Sequence, residues 1–444
     1  MNPPQPLTRR SVLKLLGTTA AAAPFVTSNL MASPTLGKLR HASFGAAGQA
    51  AADLSQFANC KNLEVVAICD VDLTHMANAR KRFPNARFYQ DWRVLLDKEA
   101  RNIDSVNVTI PDHMHASVGV SSMQLGKHVY GQKPLAHELY EVRRMTEVAR
   151  KTGVVTQMGI QIHSTAQYRM AVQLIQSGAI GKIKEVHCRS GKSWGDMSPR
   201  PDRTDPVPEG FDWDMWLGVC AKRPFIGDHY YHPFNWRKRL DFGTGTLGDM
   251  GCHILDPVYQ SIGLSAPIGV RSEGPPPNQW NWALNGKVVY TFAGTPRTAD
   301  QTLRVTWYDG TSMPPPEIVA LLEGKGFPPQ GSLFVGTEGV MLLPHVSTPK
   351  LFPLAKFKDY KYPHVKGSSH WAEFADACCG NGKTSAGFDY AGPLTEAILL
   401  GCVASRFPKT DLKWDSQALK FDLPEASHFV KRDYREGWHI PDLG

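Results

Sequence analysis

The chain has eight cysteines (Cys60, Cys69, Cys188, Cys220, Cys252, Cys378, Cys379 and Cys402) but no Cys-x-x-Cys pair and no zinc-finger spacing among them. That excludes the common zinc modules and thioredoxin-type redox pairs. Nothing in the spacing asks for disulfides, and most of the eight lie in apolar surroundings, where cysteine behaves as a small buried hydrophobe. Past the N-terminal segment no dense Lys/Arg run occurs, so no nucleic-acid or membrane footprint is indicated. No apolar run approaches the length of a transmembrane helix. Internal repeats, low-complexity tracts and a His-Glu-x-x-His cluster are also lacking. A metal set could be assembled only from scattered residues such as Asp249, His253 and His232, and no metal is expected.

What remains has the texture of an ordinary globular protein. At 444 residues it has room for two domains with separate cores. The N-terminus reads Thr8-Arg9-Arg10-Ser11-Val12-Leu13-Lys14, which resembles a twin-arginine export signal, followed by a weakly apolar run over residues 15–25. That run is too short for a permanent anchor. Small residues near Ala21, Ala23 and Ala32 offer cleavage sites. Residues 1–32 are therefore expected to be a signal that is removed, leaving a periplasmic protein with no membrane anchor.

Residues 39–160 alternate apolar, strand-like runs (65–69, 105–110, 128–130) with helical patterns (73–83, 115–125, 139–151). This is the pattern of a doubly wound parallel sheet, which binds ligands beyond the carboxyl ends of its strands. From residue 161 to 444 the texture changes. A Pro-, Trp- and Gly-rich stretch (194–244) is followed by strands with few helices between them, and helices return at 370–377 and 394–404. The expectation is an α/β protein: a Rossmann domain, then an α/β domain with a large, mostly antiparallel open sheet.

After the first strand comes Gly45-Ala46-Ala47-Gly48-Gln49-Ala50. It varies the G-x-G-x-x-G dinucleotide turn, with Ala47 at the position that approaches the pyrophosphate and Ala50 where only packing is required. Asp70 ends the second strand, where a carboxylate binds ribose hydroxyls and repels a 2′-phosphate, so NAD is expected over NADP. Gly45, Ala47, Gly48, Gln49 and Asp70, with Thr109, Pro111 and His115 after the strand 105–110 and Gln132 and Lys133 after 128–130, form the expected cofactor site.

Asp249 and His253 stand four residues apart, hence on one helix face. Lys133, Asp249 and His253 converging on one cleft could move a hydroxyl proton while a nicotinamide takes the hydride, with His253 as first base and Lys133 as second. His232, Trp236 and Arg237 suggest a platform for stacking and holding a sugar.

Together, Cys69-Asp70-Val71-Asp72, Pro111-Asp112-His113-Met114-His115, Gly131-Gln132-Lys133-Pro134, Tyr231-His232-Pro233-Phe234-Asn235-Trp236-Arg237 and the segment from Asp241 to His253 resemble the Gfo/Idh/MocA oxidoreductases, especially their exported branch. The resemblance implies an NAD-dependent oxidoreductase acting on a carbohydrate, a homo-oligomer (dimer or tetramer) built through the open sheet, and catalytic roles for Lys133, Asp249 and His253. Ala47 departs from the family pattern, as does Gln132, which stands where the motif has glutamate and leaves Lys133 without that carboxylate. Outside the cytoplasm little free NAD is available, which favours a retained cofactor and a redox-neutral cycle, including oxidative cleavage of a glycoside. The alternatives are a non-catalytic carbohydrate-binding protein on the same scaffold and a plain dehydrogenase exchanging NAD.

Overall fold

A computed structural model describes residues 37–444; the twin-arginine segment, and with it the export expectation, lies outside the described residues. The first sheet is entered by β1 (Leu39–Phe44), which leads into α1 (Gln49–Phe57). There follow β2 (Leu63–Cys69), α2 (Leu73–Arg82), β3 (Arg87–Tyr89), α3 (Trp92–Glu99), β4 (Ser105–Val108), α4 (His115–Gln124), β5 (His128–Gly131), α5 (Leu139–Thr152) and β6 (Thr156–Met158). The order is β3-β2-β1-β4-β5-β6 and every pairing is parallel. Strand β4 is buried along its whole length, as a strand covered by helices on both faces must be. Helix α2 shows why the elements end where they do. Asp72 caps its start by accepting from the Thr74 N–H, and Arg80, Lys81 and Arg82 sit against the carbonyl end of its dipole.

Helix α6 (Ala166–Gln176) and β7 (Ile183–Ser190) open the second part. Helices α7 (Gly245–Ile254) and α8 (Asp256–Ile262) come next, then β8 (Gly269–Ser272), β9 (Lys287–Ala293), β10 (Thr302–Asp309), β11 (Gln330–Gly336), β12 (Val340–Pro344) and β13 (Lys350–Phe352). The chain finishes with α9 (His370–Cys378), α10 (Phe388–Ala404), β14 (Asp411–Asp415) and β15 (Lys420–Phe421). Nine strands form the sheet β13-β12-β11-β7-β10-β9-β8-β14-β15, in which only β7 and β10 run parallel. The α/β fold with one parallel and one mostly antiparallel sheet is thus as the sequence implies.

Two features differ from the sequence expectation. Helix α10 starts at Phe388, six residues before the expected 394, with Pro393 inside its second turn. Helix α9 leaves the second sheet and packs on the first: Phe374 meets Phe57 of α1 and Tyr130 of β5. Seven cysteines are buried, Cys379 is half-buried, and none is disulfide-bonded. Among the described residues no helix is long and apolar enough to cross a membrane.

Candidate active site

Strands β1 and β4 lie side by side, and the chain departs to opposite sides of the sheet from them, so a crevice opens at their carboxyl ends. A cavity of about 290 Å³ occupies it, lined at one end by Gly45, Ala47, Gly48, Gln49 and Asp70 and at the other by Lys133, Arg237 and Asp249. Thr109, Pro111, His115, Gln132, His232 and Trp236 also line it.

At the first end the backbone dictates the sequence. Gly45 has φ 104°, and a Cβ there would stand 2.2 Å from the Thr109 carbonyl oxygen. Gly48, with φ 55°, faces open space and caps α1 with no side-chain acceptor; the Ala50 N–H bonds the Ala47 carbonyl, and those of Gln49 and Ala51 are left to a ligand. A helix N-terminus of this kind suits a phosphate. The Asp70 carboxylate is oriented by the N–H groups of Ala46 (2.9 Å) and Asp72 (3.0 Å), with acceptor capacity remaining on both oxygens. These residues fit a dinucleotide.

At the other end Asp249 is a hub. Its Oδ1 accepts from Lys133 Nζ at 2.9 Å and Arg237 Nε at 3.3 Å; its Oδ2 accepts from Trp194 Nε1 at 2.8 Å and Lys192 Nζ at 3.2 Å. Lys133 Nζ also donates to the Asp249 carbonyl at 2.8 Å. Burial pushes the Asp249 carboxyl up, but Lys133, Arg237 and Lys192 pull it much further down, so it is a fixed anion. The Arg237 guanidinium carbon lies over the Trp236 and Trp194 rings, 4.2 and 5.4 Å from their centroids.

Three expected site residues lie elsewhere or are otherwise engaged. His253 does not line this cleft. Its ring lines a separate, far smaller cavity with Tyr168, Ser332 and His345, its Nδ1 has no partner, and it makes no hydrogen bond to Asp249. Burial first, then the charges of Lys133 and His345, hold it neutral. The single cleft expected for Lys133, Asp249 and His253 therefore holds only the first two. His232 does not stand with Arg237: its Nε2 reaches Asp72 Oδ2 at 3.2 Å and its ring stacks on Phe211, at the Asp70 end. His232 and Arg237, five residues apart in one loop, thus turn to different ends of the cleft. His115 has its ring nitrogens 2.8 Å from the Pro134 carbonyl and 2.7 Å from the Ile110 carbonyl; as a neutral ring it donates to one of the two, and it packs between the lysine loop and the segment that follows β4.

Sequence reasoning missed three site residues. Asp53 of α1 is fully buried and accepts from Gln132 Nε2 (2.8 Å), Thr109 Oγ1 (2.9 Å), Gln49 Nε2 (3.0 Å) and Trp371 Nε1 (3.0 Å). Lys192 and Trp194 follow β7 directly, and a cation and an indole just past a strand end were the available signal. Among the described residues, Asp72, His75 and His232 alone gather three metal-type ligand atoms within 4.8 Å. Burial opposes charging His75, but hydrogen bonding to Asp70 and the charges of Asp70 and Asp72 outweigh it and raise its pKa.

Comparison with known proteins matches residues 39–160 to a family model described as an oxidoreductase family, NAD-binding Rossmann fold. Residues 169–297 match the same family's C-terminal alpha/beta domain. A levoglucosan dehydrogenase of Pseudarthrobacter phenanthrenivorans is 25% identical over 45% of this chain and 42% of its own length. A D-glucoside 3-dehydrogenase of Escherichia coli is 27% identical over 54% of this chain and 58% of its own length. The chain thus spans about half the length of these curated relatives. Its fold is shared with the WlbA dehydrogenase of Bordetella pertussis, solved with NADH and UDP-GlcNAcA (TM-score 0.59, 15% identity, 85% of this chain and 99% of that one). It is shared equally with an aldose-aldose oxidoreductase of Caulobacter crescentus (TM-score 0.57, 16% identity, 85% and 100%).

Proposed function

Because the chain belongs to the Gfo/Idh/MocA oxidoreductase family, we propose that it moves a hydride between a carbinol carbon of a carbohydrate and NAD, with Lys133 handling the hydroxyl proton. The main support is the shared cleft: Lys133, anchored on Asp249, opens onto the same cavity as Gly45, Gly48 and Asp70. The nicotinamide, when bound, supplies the two-electron acceptor or donor.

This chain's residues do the rest. The Gly45–Gly48 turn and the uncapped start of α1 would hold the pyrophosphate, and Asp70 would accept from ribose hydroxyls while repelling a 2′-phosphate, which favours NAD over NADP. Lys133 Nζ, with two of its three hydrogens engaged by Asp249, keeps one for the substrate oxygen. Unprotonated, it takes the hydroxyl proton; protonated, it returns one and stabilises the developing alkoxide. Asp249 is a positioning residue that stays ionised and holds the Lys133 amine at the cleft. The indole of Trp236, which lines the cleft, suits the apolar side of a sugar ring. The names of the curated relatives support a carbohydrate substrate. Export through Thr8-Arg9-Arg10 would set this chemistry in the periplasm, where a retained cofactor working in a closed cycle avoids dependence on a free pool.

The test is to release and identify the nucleotide carried by the purified protein. NAD(H) near one per chain, reduced or oxidised on adding sugar in the parent but not in Lys133→Met, is the expected result. Protein that neither carries nor binds NAD or NADP would overturn the proposal. Reversible binding of added NAD would leave the hydride chemistry standing and remove the closed cycle.

A further inference from the structure

We propose that the substrate is an acidic sugar, a uronate or aldonate, whose carboxylate is held by Arg237 and Lys192 beside Lys133. This rests on the hydride-transfer reading above and names the class of molecule that the same cleft takes. The ground is a charge mismatch. One carboxylate, Asp249, carries three cations within 3.3 Å: Lys133, Lys192 and Arg237. Asp249 is buried and the side chains of Lys133 and Arg237 are only 15% and 23% exposed, so water compensates their charge poorly, whereas Lys192, 41% exposed, meets solvent at the edge of the cluster.

The other carboxyl lining this cleft nearby is Asp112, which is buried and accepts from Thr244 Oγ1 at 2.7 Å. Burial pushes it up to about 6, against the pull of His137, Arg237 and Lys133. Even with Asp112 fully ionised, one positive charge is left unmatched while Lys133 is protonated. His253 and His345, the titratable groups on the far side of α7, are both shifted toward the neutral form, chiefly by burial, and add nothing negative.

The donors are also spare in the right geometry. Arg237 uses only Nε on Asp249, and its two terminal nitrogens have no partner among the described residues. Its guanidinium is held by its contacts with the Trp236 and Trp194 rings and by its Nε on Asp249. A guanidinium fork held in this way matches a planar carboxylate in two parallel hydrogen bonds. Lys192 spends a single contact on Asp249 and keeps two hydrogens. The indole of Trp236, beside Arg237 in the cleft lining, would meet the ring of the same molecule.

The experiment titrates NAD-loaded parent protein, followed by tryptophan fluorescence, with D-glucuronate and D-galacturonate against D-glucose and D-galactose, and follows nicotinamide absorbance in the same samples. The expected result is affinity for the acids at least about tenfold above their neutral parents, a preference that weakens with salt and collapses in both Lys192→Met and Arg237→Gln. Neutral sugars bound as well as the acids, or no saturable binding of either acid into the millimolar range, would overturn the inference. Neutral sugars oxidised in preference to the acids would sink it while leaving hydride transfer intact. Acids bound selectively with neither class oxidised would uphold it and sink the hydride-transfer reading instead.

Discussion

Gln132 donates its side-chain amide to the buried carboxylate of Asp53 at 2.8 Å. This explains the departure of Gln132-Lys133-Pro134 from the family's Glu-Lys-Pro. A glutamate at 132 would set two carboxylates in contact in a buried site, where like charges cannot both stay ionised. The negative neighbour that Gln132 does not give Lys133 comes from Asp249 instead, so the lysine keeps a carboxylate partner from another element.

The first prediction follows directly. Gln132→Glu should destabilise the fold by roughly 3 kcal/mol near neutral pH, the scale of an uncompensated buried charge. The penalty should shrink as pH falls and one carboxyl takes up a proton. Asp53→Asn added to Gln132→Glu should recover more than half of the loss, because an amide again faces a carboxylate. Urea denaturation of the three variants at two pH values checks this; a Gln132→Glu protein as stable as the parent would refute it.

The second prediction separates the groups at the catalytic end. Lys133→Met should lower turnover by about a thousandfold without releasing the nucleotide, the usual scale for removing a general acid–base. His253→Ala should cost no more than about tenfold, since its ring lines the small cavity with His345 and not the cleft. Equal losses in both variants would show that His253 enters the cleft during turnover.

Much of the fold was legible in the chain because it rests on local pattern. Buried runs such as Val65 to Cys69 are apolar throughout, and Asp72 announces the helix that follows. Lys133 and Asp249 were legible as motif residues at a strand end and on a helix face. What escaped depends on contacts distant in sequence. Trp371 reaches Asp53 across 318 residues, and Lys192 reaches Asp249 across 57. His232 was misjudged because proximity to Arg237 in sequence says nothing of facing: it turns to Asp72, 160 residues away. Strand β3 escaped because three residues, Arg87–Tyr89, leave no alternation to read. Helix α10 was cut short because Pro393 reads as a helix breaker, yet the loss of its one N–H is tolerated within the second turn.

A third prediction concerns acid. His41, His115 and His370 are held down to about 4 and His113 to about 3, in each case chiefly by burial. A histidine whose folded pKa is depressed contributes stability that is whole above its unfolded pKa of 6.5 and is lost as pH falls toward the folded value. Each is worth roughly 3 kcal/mol over its full window. Asp112 and Glu141 act in the opposite sense: burial raises them to about 6 and about 7, so both favour the folded state as pH falls. Four groups against two leave a net loss, and the urea midpoint should drop by pH 5, in the window between 6.5 and about 4. A midpoint that holds steady or rises over that range would mean these histidines are not buried as neutral rings.

The last prediction distinguishes two glycines in one turn. Gly45 and Gly48 both have positive φ, so alanine at either carries backbone strain of about 1 kcal/mol. They differ in what surrounds them. At Gly45 a Cβ would stand 2.2 Å from the Thr109 carbonyl oxygen and 2.9 Å from the Ala50 Cβ, whereas at Gly48 nothing lies within 4 Å. The Gly45 contact is with backbone at the end of β4, so relief requires β1 and β4 to part at the carboxyl end of the sheet, where the nucleotide is expected. Gly45→Ala should therefore abolish nucleotide retention, while Gly48→Ala should weaken it by only about tenfold. Isothermal titration of NAD into both variants decides the matter. If Gly48→Ala were the worse of the two, crowding of the pyrophosphate by the new methyl group would outweigh the clash of the Gly45 substitution with β4.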